Sequence, residues 1–329
     1  MQLQNPDRVV IVNDILNNAL ATSMKILLAE YAVGTGLEGT LLLEGKAMLK
    51  TLATSFHKLG HEVSYLSAGP FIENATLINS NEDSFDKVLE NAAIKADAGL
   101  VIGPDELLEG LSEIIENNTI NLGCSPESVR MCADKIECTN MLRANSINAP
   151  KIVENDQSGN FVIKPRYGCA AEDIVISTSS KHEDGFIATE YIEGEHLSIS
   201  IIAGKEPLPL SINKQFIDID ITKPGSCIGY KGNIVPYKTE YECELFDIAI
   251  ETVKTLGCNG YTGIDIVYGD QAYVVDVNPR PTTAIFGLAR TMKYEIGKLL
   301  LENISGNLPD KICIEGECSF TKDDIEDMI

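Results

Sequence analysis

One stretch of this sequence carries chemistry in its spacing. Gly263-Ile264-Asp265-Ile266-Val267-Tyr268-Gly269-Asp270-Gln271-Ala272-Tyr273-Val274-Val275-Asp276-Val277-Asn278-Pro279-Arg280-Pro281 reads as two apolar strands joined at Gly269-Asp270. A two-residue turn there sets Tyr268 opposite Gln271, Val267 opposite Ala272 and Asp265 opposite Val274. Side chains alternate along a strand, so Asp265, Ala272, Val274 and Asp276 share one face. Asp265 and Asp276 become diagonal neighbours, roughly 7 Å apart, and Asn278 follows on the same face. Such a set can hold a hard cation. Magnesium takes oxygen ligands, keeps some water, and reaches protein through one or two carboxylates plus nucleotide phosphates. The plainer reading is a solvated strand face. Against it, Asp is depleted in strands, and these two sit amid Ile and Val, where burial without a partner is costly.

Cations lie where a polyanion would need them. Arg280 stands just beyond the acids between two prolines, and a guanidinium there can stabilise a phosphate or a tetrahedral oxyanion. Lys164 ends the strand Phe161–Pro165. The small residues that follow, through Gly168 to Ala171, let a loop fold over phosphates with its amides inward. Lys135 lies in the first turn of a helix opened by Asp134, where the helix dipole disfavours a cation. Solvated lysines, and an arginine paired with one of the 49 acids, are the plain alternatives. Glu190-Tyr191-Ile192-Glu193-Gly194-Glu195 ends an apolar strand and reads as an interdomain hinge. Its backbone N–H and C=O groups can meet an adenine edge, and a carboxylate nearby can accept ribose hydroxyls.

The elements that must position these groups alternate in the first third of the chain. Met24–Leu28, Glu62–Leu66 and Ala98–Ile102 read as buried strands. Gly45–Leu59, Phe85–Ala93 and Leu107–Asn117 read as helices, with Thr40–Glu44 as loop or strand. That alternation implies a mostly parallel, Rossmann-like sheet. Ser125-Pro126 opens a further helix, with Ser as cap and Pro at the first helical position. Asp134–Glu137 resembles a capping box for a helix to about Asn145. Later strands are expected at Phe186–Ile192, Leu197–Ile202, Thr262–Tyr268 and Ala272–Val277. Glu244–Leu256 carries the clearest apolar helical stripe and is stopped by Gly257. Residues 1–23 read as an extension, and the acidic tail from Asp310 reads as peripheral.

Whole-chain properties narrow the function. The 329 residues suffice for two or three domains. With 26 basic and 49 acidic residues the net charge is 26 − 49 = −23, which argues against nucleic acid and against an anionic membrane. No apolar run is long enough to span a bilayer. The nine cysteines, without CxxC pairs, point to reduced thiols in a cytoplasm. The four histidines are not spaced as a metal pair. Gly34-Thr35-Gly36-Leu37-Glu38-Gly39 matches a dinucleotide fingerprint in letters, but that motif needs a helix opening within the loop. Gly39 to Gly45-Lys46 fails the Walker spacing, and no GxSxG elbow occurs.

Taken in order, these segments resemble the ATP-grasp superfamily of carboxylate–amine ligases, over roughly Ser125 to Asn307. The resemblance implies an α/β and α+β architecture: an N-terminal Rossmann-like pre-ATP-grasp domain (24–124), then a two-lobed ATP-grasp fold with a small lobe (125–189) and a large lobe holding the metal site (190–308). Residues 309–329 form the tail. It makes Lys135 and Lys164 phosphate-binding lysines and Arg166–Ala171, including Gly168, the phosphate loop. It makes the backbone of Glu190 and Ile192 the adenine-reading hinge and Glu195 the ribose acid, with Glu193 as rival. Lys214 becomes a further phosphate or substrate contact. Asp265, Asp276 and Asn278 become the magnesium ligands, with manganese as a substitute and Asp276 in place of the commoner Glu. Arg280 assists the acyl-phosphate chemistry. Ala29-Glu30-Tyr31-Ala32 and Leu43-Glu44-Gly45-Lys46-Ala47-Met48 are similar to a methanogen branch of the superfamily that joins the γ-carboxyl of glutamate to tyramine in methanofuran biosynthesis. The implied partners are a small carboxylate and a small amine, and self-association stays open. So do three other readings: another ligase of the same fold, a non-catalytic nucleotide-binding regulator, and a nicotinamide oxidoreductase using Gly34–Gly39.

Overall fold

The computed structural model describes residues 23–328 except 155, 169–172 and 220–225. The expected extension, apart from Ser23, and the second half of the expected phosphate loop therefore lie outside the described residues. The first unit runs β1 (Lys25–Glu30), α1 (Tyr31–Thr35), α2 (Thr40–Lys58), β2 (Glu62–Ser67), β3 (Thr76–Asn79), α3 (Phe85–Ala93), β4 (Ala98–Ile102), α4 (Asp105–Asn118) and β5 (Ile120–Asn121). Its five strands form one parallel sheet in the order β3-β2-β1-β4-β5. Helices cover both faces, so Ile26 to Ala29 are all buried and the strand reads as an unbroken apolar run.

Thr40–Glu44 is neither loop nor strand. Helix α2 begins at Thr40, with Gly39 as its cap at φ 76°. Three consecutive leucines mimic a buried strand, and a glycine cap carries no side chain to announce a helix. The stated objection to the Gly34–Gly39 fingerprint therefore falls. A different fact replaces it: Gly34 lies inside α1, where a Cβ would collide with the Phe85 ring. The segment is thus a helical turn followed by a loop rather than one tight strand-to-helix turn.

The second part begins with α5 (Pro126–Ala133), capped by the Ser125 side chain, and α6 (Lys135–Ala144), capped by Asp134. Strands β6 (Ser158–Pro165), β7 (Val175–Ser179), β8 (Phe186–Glu190) and β11 (Ser226–Cys227) form a small antiparallel sheet ordered β11-β7-β6-β8. The large antiparallel sheet is ordered β14-β13-β9-β10-β12-β15. Its strands are β9 (Glu195–Ala203), β10 (Leu208–Asp218), β12 (Gly229–Val235), β13 (Gly260–Tyr268), β14 (Ala272–Asn278) and β15 (Cys318–Thr321). Helix α7 (Glu242–Leu256) buries Leu245, Ala249, Val253 and Leu256, and Gly257 stops it at φ 66°. Helices α8 (Ala284–Thr291), α9 (Ile296–Ser305) and α10 (Lys322–Met328) complete the chain.

Two details correct the sequence reading. The turn between β13 and β14 holds three residues, because Tyr268 pairs with Ala272 and Gly269 N–H donates to the Gln271 carbonyl. An odd turn alone would put Asp265 opposite Val275 and send Asp276 to the other face. A bulge corrects the parity: Ile266 pairs with Val274, Asp265 with Asp276, and Val275 is the extra residue. The two acids are therefore direct cross-strand partners rather than diagonal ones. The tail is not peripheral either. β15 pairs with β12 at the edge of the large sheet, and Cys318, Phe320 and Ile325 are buried.

The first unit and the large sheet share one hydrophobic core, in which Leu49, Leu52 and Phe56 of α2 join Leu288, Leu299 and Phe320. Gly297 N–H donates to Ser55 Oγ across this junction (3.0 Å), and a Cβ on Gly297 would press on the Phe56 ring. The small sheet has a core cluster of its own, made of Phe161, Ile163 and Ala188.

Candidate active site

A cavity of about 300 Å³ lies where the parallel sheet, the small sheet and the large sheet meet. Asp265, Asp276 and Asn278 line it from β13 and β14. Asp265 Oδ1 accepts from Gln215 Nε2 (2.8 Å) and Oδ2 from Asn278 Nδ2 (3.1 Å). Burial first, and then the neighbouring Asp276, push Asp265 up to about 7. Two carboxylates on one rung, one of them driven toward its protonated form, are a donor set that a divalent cation would relieve. Among the described residues no three His, Cys, Asp or Glu side chains gather as a closed metal cage.

The bulge has a second effect. It leaves the Val275 carbonyl out of the ladder, and Lys164 Nζ donates to it at 2.7 Å. Lys164 is buried at the end of β6, and desolvation lowers its pKa while Asp276 works the other way. Lys135 Nζ donates to the Gly168 carbonyl (2.7 Å) and lies 3.9 Å from Asp276 Oδ1 and 3.7 Å from Asp105 Oδ2. Arg280 Nε lies 3.8 Å from Asp105 Oδ1, and its Nη2 donates to Asn278 Oδ1 (3.4 Å). Lys135, Lys164, Gly168 and Arg280 all line the cavity.

Glu190, Tyr191 and Ile192 of the expected hinge also line the cavity. The Glu190 carboxylate turns back to accept from Lys151 N–H (2.9 Å). Arg166, Glu193, Glu195 and Lys214 do not line the cavity wall. Arg166 instead grips Asp134 with two bonds (2.9 and 2.6 Å), and Tyr167 adds a third (2.8 Å). Those bonds outweigh burial and hold Asp134 at about 2. Glu195 accepts from Lys214 (2.5 Å) and from the Tyr237 hydroxyl (2.9 Å).

Two acids at the site were not assigned from sequence. Asp105, which meets the lining residues Lys135 and Arg280, lies two residues past Gly103, and Glu30, a lining residue within the Ala29–Ala32 match, ends β1. Both therefore stand at the carboxyl ends of parallel strands, where open α/β sheets gather functional groups. That position was the available signal. Burial pushes Glu30 up to about 7 although the Val33 and Ala32 N–H groups oppose it. Gln215, Glu44, Tyr230 and Lys322 also line the cavity; Glu44 falls within the Leu43–Met48 match, and no local pattern marks the other three.

An ATP-grasp domain model matches residues 132–284, the stretch that holds the acids, both lysines, the hinge and Arg280. This defines the class of protein. Tyramine–L-glutamate ligase of Methanocaldococcus fervens is 32% identical over 291 residues, covering 84% of this chain and 93% of that protein. Its counterpart from Methanocaldococcus jannaschii is 30% identical over 331 aligned positions, covering 95% and 99%. A crystal structure of an ATP-grasp superfamily protein from Archaeoglobus fulgidus superposes with a TM-score of 0.72 at 32% identity, covering 88% of this chain and 90% of that one. The chain belongs to the tyramine–L-glutamate ligase family of ATP-grasp enzymes and is an ATP-dependent, amide-forming ligase. Its substrates are small molecules, and among the described residues no helix is long and apolar enough to cross a membrane.

Proposed function

We propose that this enzyme joins the γ-carboxyl of L-glutamate to tyramine, with ATP cleaved to ADP and phosphate and with magnesium held by Asp265, Asp276 and Asn278. The observation that carries the reading is the Asp265–Asp276 rung, which shares one cavity with Lys135, Lys164 and Arg280. The substrates are those named for the two Methanocaldococcus relatives. The wall beside them suits an aromatic amine, because Leu37, Leu41 and Met48 offer it an apolar surface.

In this reading the backbone at Glu190 and Ile192 holds the adenine. Lys135 and Lys164 compensate the charge of the terminal phosphate while a glutamate carboxylate oxygen attacks its phosphorus in line. That O–P bond forms as the bond to ADP breaks. Asp265, Asp276 and Asn278 would hold magnesium, which would supply charge neutralisation and orientation for the phosphates. The amine nitrogen then attacks the acyl carbon, Arg280 stabilises the oxyanion, and phosphate leaves as the nitrogen gives up a proton. Positioning and charge compensation do this work without a protein nucleophile. Arg166 supports the site indirectly, through the Asp134 cap that fixes the first turn of α6 and hence Lys135. Glu195 and Lys214 stand as a pair behind the hinge and are assigned to the ribose and phosphates once the small sheet closes.

The test is ADP release from glutamate, tyramine, ATP and magnesium. Wild type is expected to turn over, and Asp276→Ala to lose at least about 100-fold in kcat, the scale of a misplaced reacting group. Turnover by Asp276→Ala equal to wild type would defeat the site. A panel of other amino acids and amines separates this reading from another ligase specificity on the same fold.

A further inference from the structure

Helix α2 and the C-terminal segment bring a second charged set to the cavity, which the chemistry above leaves unused. Lys322 Nζ lies 2.9 Å from Glu44 Oε1, and both residues line the cavity. Glu44 is only 8% exposed, yet the approach lacks the alignment of a hydrogen bond, and Oε1 makes none. Lys322 Nζ also stands 5.2 Å over the Tyr230 ring. The Tyr230 hydroxyl is tied to Thr283 Oγ1 (2.9 Å) and accepts from Asn233 Nδ2 (2.8 Å). Asn233 is 2% exposed, lines the cavity, and its Oδ1 has no hydrogen-bond partner.

Asn233 Oδ1 is a buried acceptor without a donor, which costs free energy, so this wall lacks one donor-bearing group. The Glu44–Lys322 contact engages one carboxylate oxygen and one side of an ammonium. A second oxygen and further N–H groups remain on each. A ligand bearing a positive and a negative group side by side would complete the square. A simple amine would meet the lysine, and a simple acid the glutamate, each with its own sign. An α-amino acid carries both charges on one carbon.

Resting on the glutamate reading above, we infer that Glu44 takes the α-ammonium and Lys322 the α-carboxylate of the amino-acid substrate. The side-chain carboxyl is then the one left to face the phosphates, and this pair sets the γ-regiochemistry.

The experiment uses the full chain with ATP, magnesium and tyramine. It compares glutamate with 4-aminobutyrate, which lacks the α-carboxylate, and with glutarate, which lacks the α-amine. An analogue that is not turned over is measured as a competitive inhibitor against glutamate. Lys322→Met is expected to raise the KM for glutamate by about 10-fold or more, the scale of one charge-assisted hydrogen bond. It should leave the constant for 4-aminobutyrate unchanged. Glu44→Gln should raise the KM for glutamate and leave glutarate unchanged. The KM for ATP should hold in both variants, which shows an intact fold, and Lys322→Arg should keep most of the glutamate affinity. Unchanged glutamate KM in both variants, with wild-type turnover intact, overturns this inference alone. An equal loss for glutamate and its matching analogue also overturns it. Absence of wild-type ADP release with glutamate and tyramine defeats the substrate reading and this inference with it.

Discussion

Asp265 and Asp276 occupy one rung of β13 and β14, and a carboxylate pair so placed must take up a proton or a cation. With Asp265 raised from its ordinary 3.8 to about 7 by burial and by Asp276, the native state holds the proton more tightly than the unfolded chain. That stabilisation is complete below about pH 4 and is lost as the pH rises through about 7. Glu30, raised to about 7 chiefly by burial, adds the same sign. Asp134, held at about 2, acts the other way, and its contribution disappears only as the pH falls from 3.8 toward 2. The ligand-free protein should therefore lose stability between pH 4 and 7, by up to about 1.4 kcal/mol per pH unit for each proton involved. Thermal unfolding across that range checks this. Asp265→Asn should flatten the slope, and magnesium with ATP should restore stability near pH 7. A slope identical in wild type and Asp265→Asn would remove Asp265 as its source.

At the scale of elements, β15 decides more than its four residues suggest. It covers the β12 edge and buries Phe320, whose ring meets Phe286 edge-on at 5.4 Å. Phe320→Ala should cost about 3–5 kcal/mol, read from urea unfolding, and a loss below 1 kcal/mol would mean the strand is dispensable. The helices with capped, striped sequences were legible: Ser125-Pro126, Asp134 and the Leu245–Leu256 stripe each carry local signals that tertiary structure then used. The bulge at Val275 was not legible, because alternation has a period of two and a single inserted residue leaves no mark. Two misreadings of the hairpin, the turn length and the missing bulge, happened to cancel, so the acids share a face by a different register. The start of α2 was hidden by its leucines, and β15 by the acidic residues around it. Gln215, Tyr230 and Lys322 reach the cavity only through contacts between residues far apart in the chain, which no window of sequence displays.

At the scale of the whole molecule, the parallel sheet and the large sheet are welded by a common core, while the small sheet is joined mainly by polar ties such as Lys164 to Val275 and Arg166 to Asp134. A sheet joined in this way is expected to open and close over ATP. Hydrogen exchange should find amides of β6 to β8 opening faster than those of β9 and β13. ATP with magnesium should slow them, and equal protection in both sheets without ligand would argue for a rigid cleft. The pairing of β15 with β12 has a further consequence, because the residue that follows it, Lys322, stands in the cavity wall. A protease cut just before Cys318 would strip an edge strand and a lining side chain in a single event, so limited digestion there should damage fold and substrate binding together.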